Sequence, residues 1–118
     1  MDAALSKADS QAEDKLTSTL PQWTLFLTRT ADKGQRKLDK PLRIAIRDAL
    51  LKLGQDPEHL GERLSQPLTN VFSYHMTYKG LEFRIAYQLC LETESIVVLM
   101  IGPHENFYRK LKNLVYAS

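Results

Sequence analysis

The sequence holds a single cysteine, Cys90, among 118 residues, which excludes an internal disulfide and any cysteine-built zinc site. Five glycines and five prolines are too few for a low-complexity chain. No run approaches the ~18 apolar residues that a membrane-spanning helix needs, so no membrane partner is expected. Three histidines, His59, His75 and His104, lack the His-x-x-x-His spacing of a built-in zinc site. No Gly-rich phosphate loop is present either. No metal or cofactor is therefore expected. Residues 1–20 lack the apolar stretch of a secretory signal, which gives the expectation of a cytoplasmic protein.

What is present fits one globular domain: 43% of residues are hydrophobic and 25% charged, enough for one core but not two. The net charge of +2 conceals an asymmetry. Residues 1–21 carry Lys7 and Lys15 against Asp2, Asp9, Glu13 and Asp14, whereas the remainder carries an excess of Lys and Arg. The body is thus moderately basic, which leans toward anionic partners. Residues 1–20, rich in Ala, Ser, Asp and Lys, read as a flexible or loosely helical extension, and the domain itself as residues 21–118.

Within the domain, Gln22 to Thr28 reads as a strand, and Trp23 as a packing residue. Thr28 and Thr30 are N-cap candidates for a helix over roughly Ala31 to Leu38. Leu42, Ala45, Ile46, Ala49, Leu50 and Leu53 form a continuous apolar helical stripe. Pro41 suits its first turn and Gly54 its C′ position. After a loop containing Asp56-Pro57, Gly61 and Pro67 come three strands, Val71 to Tyr78, Glu82 to Leu91 and Ser95 to Ile101. The last is apolar on both faces, as an interior strand should be. Gly102-Pro103 is expected to end it and open a helix with Phe107, Leu111, Leu114 and Val115 buried. The order β-α-α-β-β-β-α predicts an α+β domain: a mostly antiparallel twisted sheet, two N-terminal helices packed on it and a short C-terminal helix. Cys90, in a strand, reads as a small buried hydrophobe and not as a nucleophile.

Alternation in the first two of these strands specifies faces. Phe72, Tyr74, Met76 and Tyr78 share one face with Phe83, Ile85, Tyr87 and Leu89, while Ser73, His75 and Thr77 share the other with Glu82, Arg84, Ala86 and Gln88. A two-residue Lys79-Gly80 turn pairs Tyr78 with Leu81, Phe72 with Tyr87 and His75 with Arg84. A loop two residues longer would keep the parity but slide His75 opposite Ala86. In the first register, His75 and Arg84 form an anion site, or a solvated face on which Arg84 pairs with Glu82 or Glu92. His104 and Tyr108 are placed as i,i+4 neighbours in the first turns of the last helix, whose free N–H groups favour anions. Histidine also suits proton transfer near neutral pH.

The run GLEFRIAYQLCLETESIVVLMIGPHENFYRKL resembles the C-terminal half of the RelE/ParE-superfamily toxins, with their "(Y/F)RI-x-Y" strand, apolar strand ending in "IG", turn and Tyr-bearing helix. The preceding LLKLGQDPEHLGERLSQPLTNVFSYHM is similar to their helix, Asp-Pro loop and central strand. The resemblance implies a toxin of a type II toxin–antitoxin module. In its RNA-cleaving members it implies a ribosome-dependent mRNA endoribonuclease that uses metal-independent attack by the 2′-hydroxyl and so inhibits translation. Carried over by position, the catalytic residues are His75, Arg84, His104 and Tyr108, with Lys79, Arg84 and Arg109 as RNA or phosphate contacts. His75 and His104 stand where RelE carries lysine and arginine. The resemblance further implies a cognate antitoxin with an acidic segment, for which Arg36, Lys37, Arg43 and Arg47 are contact candidates. Ribosome and mRNA are the other implied partners, with operator DNA bound only through the antitoxin complex. Two other functions stay open: a ParE-like, non-enzymatic poison of DNA gyrase, and a non-toxic antitoxin-binding module.

Overall fold

The computed structural model describes residues 22–65, 68 and 70–116. The expectations for residues 1–20 lie outside the described residues. The sheet is built from β1 (Thr24–Leu27), β2 (Glu62–Arg63), β3 (Phe72–Tyr78), β4 (Leu81–Cys90) and β5 (Ser95–Pro103) in the order β1-β5-β4-β3-β2. Only the β1–β5 pair is parallel; the others are antiparallel. Helices α1 (Arg29–Arg36) and α2 (Lys40–Leu53) precede a short α3 (Pro57–Leu60), and α4 (Phe107–Tyr116) closes the domain. The α+β architecture expected from the sequence is thus present, with α3 and β2 added where only a loop was foreseen. No described helix is long and apolar enough to cross a membrane.

Helix α1 starts at Arg29 and not at Ala31, because Thr28 is its N-cap: the Thr28 hydroxyl accepts the Ala31 N–H at 3.2 Å. Thr30 lies inside the helix. The same hydroxyl donates to the Leu99 carbonyl at 3.0 Å, tying α1 to β5. The stripe on α2 buries Leu42, Ile46, Ala49 and Leu53. Gly54 follows in ordinary right-handed geometry (φ −61°), without the left-handed C′ turn expected for it.

These residues meet Ala31, Phe72, Phe83, Ile85, Tyr87, Ile96, Val98 and Ile101 in one core, against which Trp23 also packs. Each fully buried Ile or Leu contributes about 1.5–3 kcal/mol by leaving water, so packing and not propensity holds the helices. On the opposite face, Phe107 and Leu111 of α4 bury Ala86, Val71 and Leu68 in a second, smaller core. A bulge in β5 opposite Ala86/Tyr87 lets one strand serve both cores. It places Val98 and Ile101 in the first core, and Leu99 and Met100 against the second.

The β3–β4 hairpin has the register expected from a Lys79-Gly80 turn: Phe72 pairs with Tyr87, His75 with Arg84 and Tyr78 with Leu81. Lys79 (φ 50°) and Gly80 (φ 81°) both take left-handed geometry, as a tight hairpin turn of the right twist requires. The longer-loop register is therefore overturned.

Further expectations are corrected: on α4, Phe107 and Leu111 are buried but Leu114 is exposed. Helix α4 begins at Phe107, not directly after Gly102-Pro103, because β5 continues through Pro103 and the His104 N–H extends the ladder to the Glu82 carbonyl at 3.1 Å. Asn106, with φ 59°, then turns the chain into the helix. His104 is therefore a loop residue, and its i,i+4 relation to Tyr108 is not a helical one. Cys90 is exposed, not buried. It ends β4 opposite Ser95, at the far end of the sheet from His104.

Candidate active site

Four elements deliver one cluster. Strand β3 supplies His75, β4 supplies Arg84 directly across the ladder, the loop after β5 supplies His104, and α4 supplies Tyr108. The other three sequence-predicted catalytic residues come together around the guanidinium of Arg84, a residue only 7% exposed.

Its Nε–H donates to His104 Nδ1 at 2.8 Å. One terminal N–H group donates to His75 Nε2 and to the Tyr108 hydroxyl, the latter at 3.3 Å. The guanidinium carbon also lies 5.4 Å from the centre of the Tyr108 ring, within the range of a cation–π contact. Tyr108 is steadied in turn by Ser73, a buried hydroxyl 3.3 Å from its own. It stands edge-on to Phe107, which anchors α4 in the second core.

The electrostatics of this cluster are unusual. Arg84 donates to uncharged lone pairs, and among the described ion pairs its carboxylate partner is Glu82, 3.6 Å away with its side chain 63% exposed. Such an exposed pair is worth about 0–1 kcal/mol. Keeping a guanidinium out of water otherwise costs several kcal/mol, which these contacts offset in part. Both imidazoles present a lone pair to Arg84, so in their neutral forms the proton sits on the opposite nitrogen of each ring. Burial, and then the Arg84 charge, hold the His75 pKa below its ordinary value, although Glu62 and Glu82 oppose them.

The remaining candidates are not brought together here. Lys79 reaches over the Tyr78 ring, 5.5 Å from its centre, on the opposite face of the hairpin. Arg109 is exposed on α4, turned about 100° from Tyr108 around the helix axis. Arg36, Lys37, Arg43 and Arg47 are exposed on or beside the helices that cover the other sheet face; Arg36 pairs with Asp32 at 2.9 Å. Sequence reasoning missed Glu62, 3.9 Å from His75 Nε2, since a two-residue strand leaves no periodicity to detect. It also passed over His59, which shares a groove of about 400 Å³ with Glu62, Ser73 and His75. Asp56, by a 2.8 Å hydrogen bond and by its charge, raises the His59 pKa. Among the described residues, no group of three His, Cys, Asp or Glu is placed to hold a metal ion.

Comparison with known proteins agrees with this architecture. A family model for the ParE-like toxin of type II bacterial toxin–antitoxin systems matches residues 25–112. Among solved structures, the chain is similar to the RelBE2 toxin–antitoxin complex of Mycobacterium tuberculosis. That match has a TM-score of 0.63 and 24% identity over 70% of this chain and 98% of that one. It is also similar to a free mutant RelE toxin of E. coli (TM-score 0.61, 20% identity, 75% of this chain and 90% of that one). The RelE–RelB complex of Pyrococcus horikoshii matches with a TM-score of 0.51 and 12% identity, over 70% of this chain and 96% of that one. At these identities the likeness establishes the fold. No curated protein matches the chain by sequence.

Proposed function

The chain belongs to the ParE-like toxins of type II bacterial toxin–antitoxin systems, and on that footing we propose that it is a ribosome-dependent mRNA endoribonuclease. The observation that carries the reading is the buried Arg84 charge, ringed by two imidazoles and a phenol, with the exposed Glu82 carboxylate 3.6 Å away as its charged partner. Cleavage of RNA by its own 2′-hydroxyl needs a base, an acid and a cation, and this cluster holds groups fit for all three. The 2′-oxygen attacks the adjacent phosphorus while one histidine takes its proton. Arg84 turns from its neutral partners to the phosphate oxygens and stabilises the charge that grows there. The bond to the 5′-oxygen breaks, and the other histidine protonates that oxygen. Tyr108, hydrogen-bonded to both Ser73 and Arg84, holds the guanidinium in plane.

The same reading supplies the partners. Ribosome and mRNA meet the Arg84 face; Arg109, exposed on α4, and Lys79, at the hairpin tip and reaching only past its edge, are the proposed contacts to the RNA backbone beyond the cluster. A cognate antitoxin restrains the toxin, and operator DNA is met only through their complex. A groove of about 540 Å³ between α1, β5 and α4 supports an acidic partner segment: Lys33, Lys37 and Lys110 line it around Met100, Ile101 and Leu114. Arg36, Arg43 and Arg47, exposed on α1 and α2, are further candidate contacts for that segment. The test is induced expression followed within minutes by primer extension across abundant transcripts. New 5′ ends inside translated codons, absent for His75→Ala and Arg84→Ala, are expected. Arrest with intact mRNA and broken DNA would replace this reading with gyrase poisoning. Unaffected growth would leave an antitoxin-binding module.

A further inference from the structure

The segment between α2 and β3, which sequence left as a loop, is built to deliver one carboxylate. Tyr87, fully buried and stacked on Phe72, donates its hydroxyl to the Pro57 carbonyl at 2.7 Å and so pins the start of α3. The chain then passes so close over Tyr87 that a Cβ on Gly61 would fall 1.9 Å from the Tyr87 hydroxyl oxygen. Only glycine allows that approach. The next two residues form β2: Glu62 pairs with Ser73 and Arg63 with Phe72. Arg63 lies over the Phe72 ring on one face. Alternation turns Glu62 to the other, where Ser73 and His75 lie. Its Oε1 sits 3.9 Å from His75 Nε2, with the 400 Å³ groove opening beside them.

From this geometry we infer that Glu62 is a positioning residue that makes His75, and not His104, the proton-accepting histidine of the cleavage reaction. The inference rests on the nuclease reading above and assigns the two histidines that it leaves unassigned. In the free protein His75 Nε2 accepts from Arg84. When a phosphate draws the guanidinium away, that nitrogen is released toward the 2′-hydroxyl, with the Glu62 carboxylate beside it. The proton moves from the 2′-oxygen to Nε2, and the imidazolium so formed faces an opposite charge. His104 has no such carboxylate partner among the described ion pairs. Its Nδ1 accepts from Arg84 Nε in the free protein; once the guanidinium turns to the phosphate, that nitrogen is free to take a proton from solvent, and the imidazolium so formed protonates the 5′-oxygen from Nε2 and returns to the neutral ring. Other groups facing His75 are Arg84 and Glu82 from β4, His104 from the loop after β5 and Tyr108 from α4.

The test is the pH profile of single-turnover cleavage of ribosome-bound mRNA by the full chain, compared with Glu62→Gln and Glu62→Asp. A base acts when unprotonated, so its titration sets the acidic limb. Glu62 is 74% exposed, so loss of its charge should move that limb to lower pH by a modest step and reduce the plateau rate by about 2- to 5-fold, with KM unchanged. Aspartate, still charged but one methylene shorter, should restore part of both. A Glu62→Gln profile lowered at every pH with the limb in place would overturn the assignment, as would an unchanged profile. A wild-type chain that leaves ribosomal mRNA whole would overturn both this inference and the nuclease reading. A wild type that cuts while Glu62→Gln keeps the limb defeats this inference alone.

Discussion

Replacing Arg84 by methionine should leave the domain folded with little net change in stability while removing activity. Methionine keeps the unbranched apolar stem among its neighbours but carries no charge. What is lost are hydrogen bonds to His104 at 2.8 Å, to His75 and to Tyr108 at 3.3 Å, each worth about 1.5–3 kcal/mol when a charged group donates. What is gained is relief from holding a 7%-exposed guanidinium out of water, several kcal/mol by itself. The orphaned partners need no rescue: the His75 side chain is 48% exposed and His104 also reaches water. Both sides are several kcal/mol and opposite in sign, so a net change within about 2 kcal/mol is expected, a melting shift below about 15 °C for a domain of this size. Transition-state stabilisation has no such substitute, and the rate should fall about 10²–10³-fold, as on loss of an oxyanion donor. Thermal unfolding by circular dichroism and single-turnover cleavage measure the two effects. A melting point lowered by ~15 °C or more would make Arg84 a structural keystone and refute its description as a charge held for the phosphate.

Other perturbations have definite signs. Arg84→Met should also raise the His75 titration midpoint seen by NMR, since the Arg84 charge is one of the forces lowering it, while burial keeps it below the ordinary value. Because His75 binds its proton less readily when folded, it contributes stability above the unfolded histidine pKa of about 6.5. That contribution is lost as pH falls toward the lower folded value, so His75→Ala should flatten the stability profile in that window. Gly61→Ala should destabilise by about 2–4 kcal/mol, from overpacking plus the loss of the Tyr87–Pro57 hydrogen bond, and urea midpoints would show it. Thr28→Ala removes the cap of α1 and its tie to the Leu99 carbonyl, and should cost about 1–2 kcal/mol in the same assay.

The hairpin was legible because two local rules agree on it. Period-two alternation fixed the parity, Gly80 fixed the turn, and together they put His75 across from Arg84. The apolar stripe of α2 was equally plain. His104 was misplaced for a physical reason: Gly-Pro reads as the end of a strand, yet Pro103 needs no N–H at that point, and the ladder runs on to His104. It reached the right partner by a different route, from the end of the ladder and not from a helix turn. Cys90 was misread because it is the last residue of its strand, where it and the next residue, Leu91, are both exposed. Glu62 lay beyond sequence reasoning altogether. Its position is set by the contact of Gly61 with Tyr87, 26 residues apart in sequence, which no local pattern announces.

The most direct test of the nuclease reading is chemical identification of the ends left when the purified chain acts on mRNA in programmed ribosomes. Attack by the 2′-hydroxyl leaves a 2′,3′-cyclic phosphate on one fragment and a free 5′-hydroxyl on the other, and both should disappear with Arg84→Met. Fragments ending in a 3′-hydroxyl and a 5′-phosphate, or mRNA that stays whole, would contradict it.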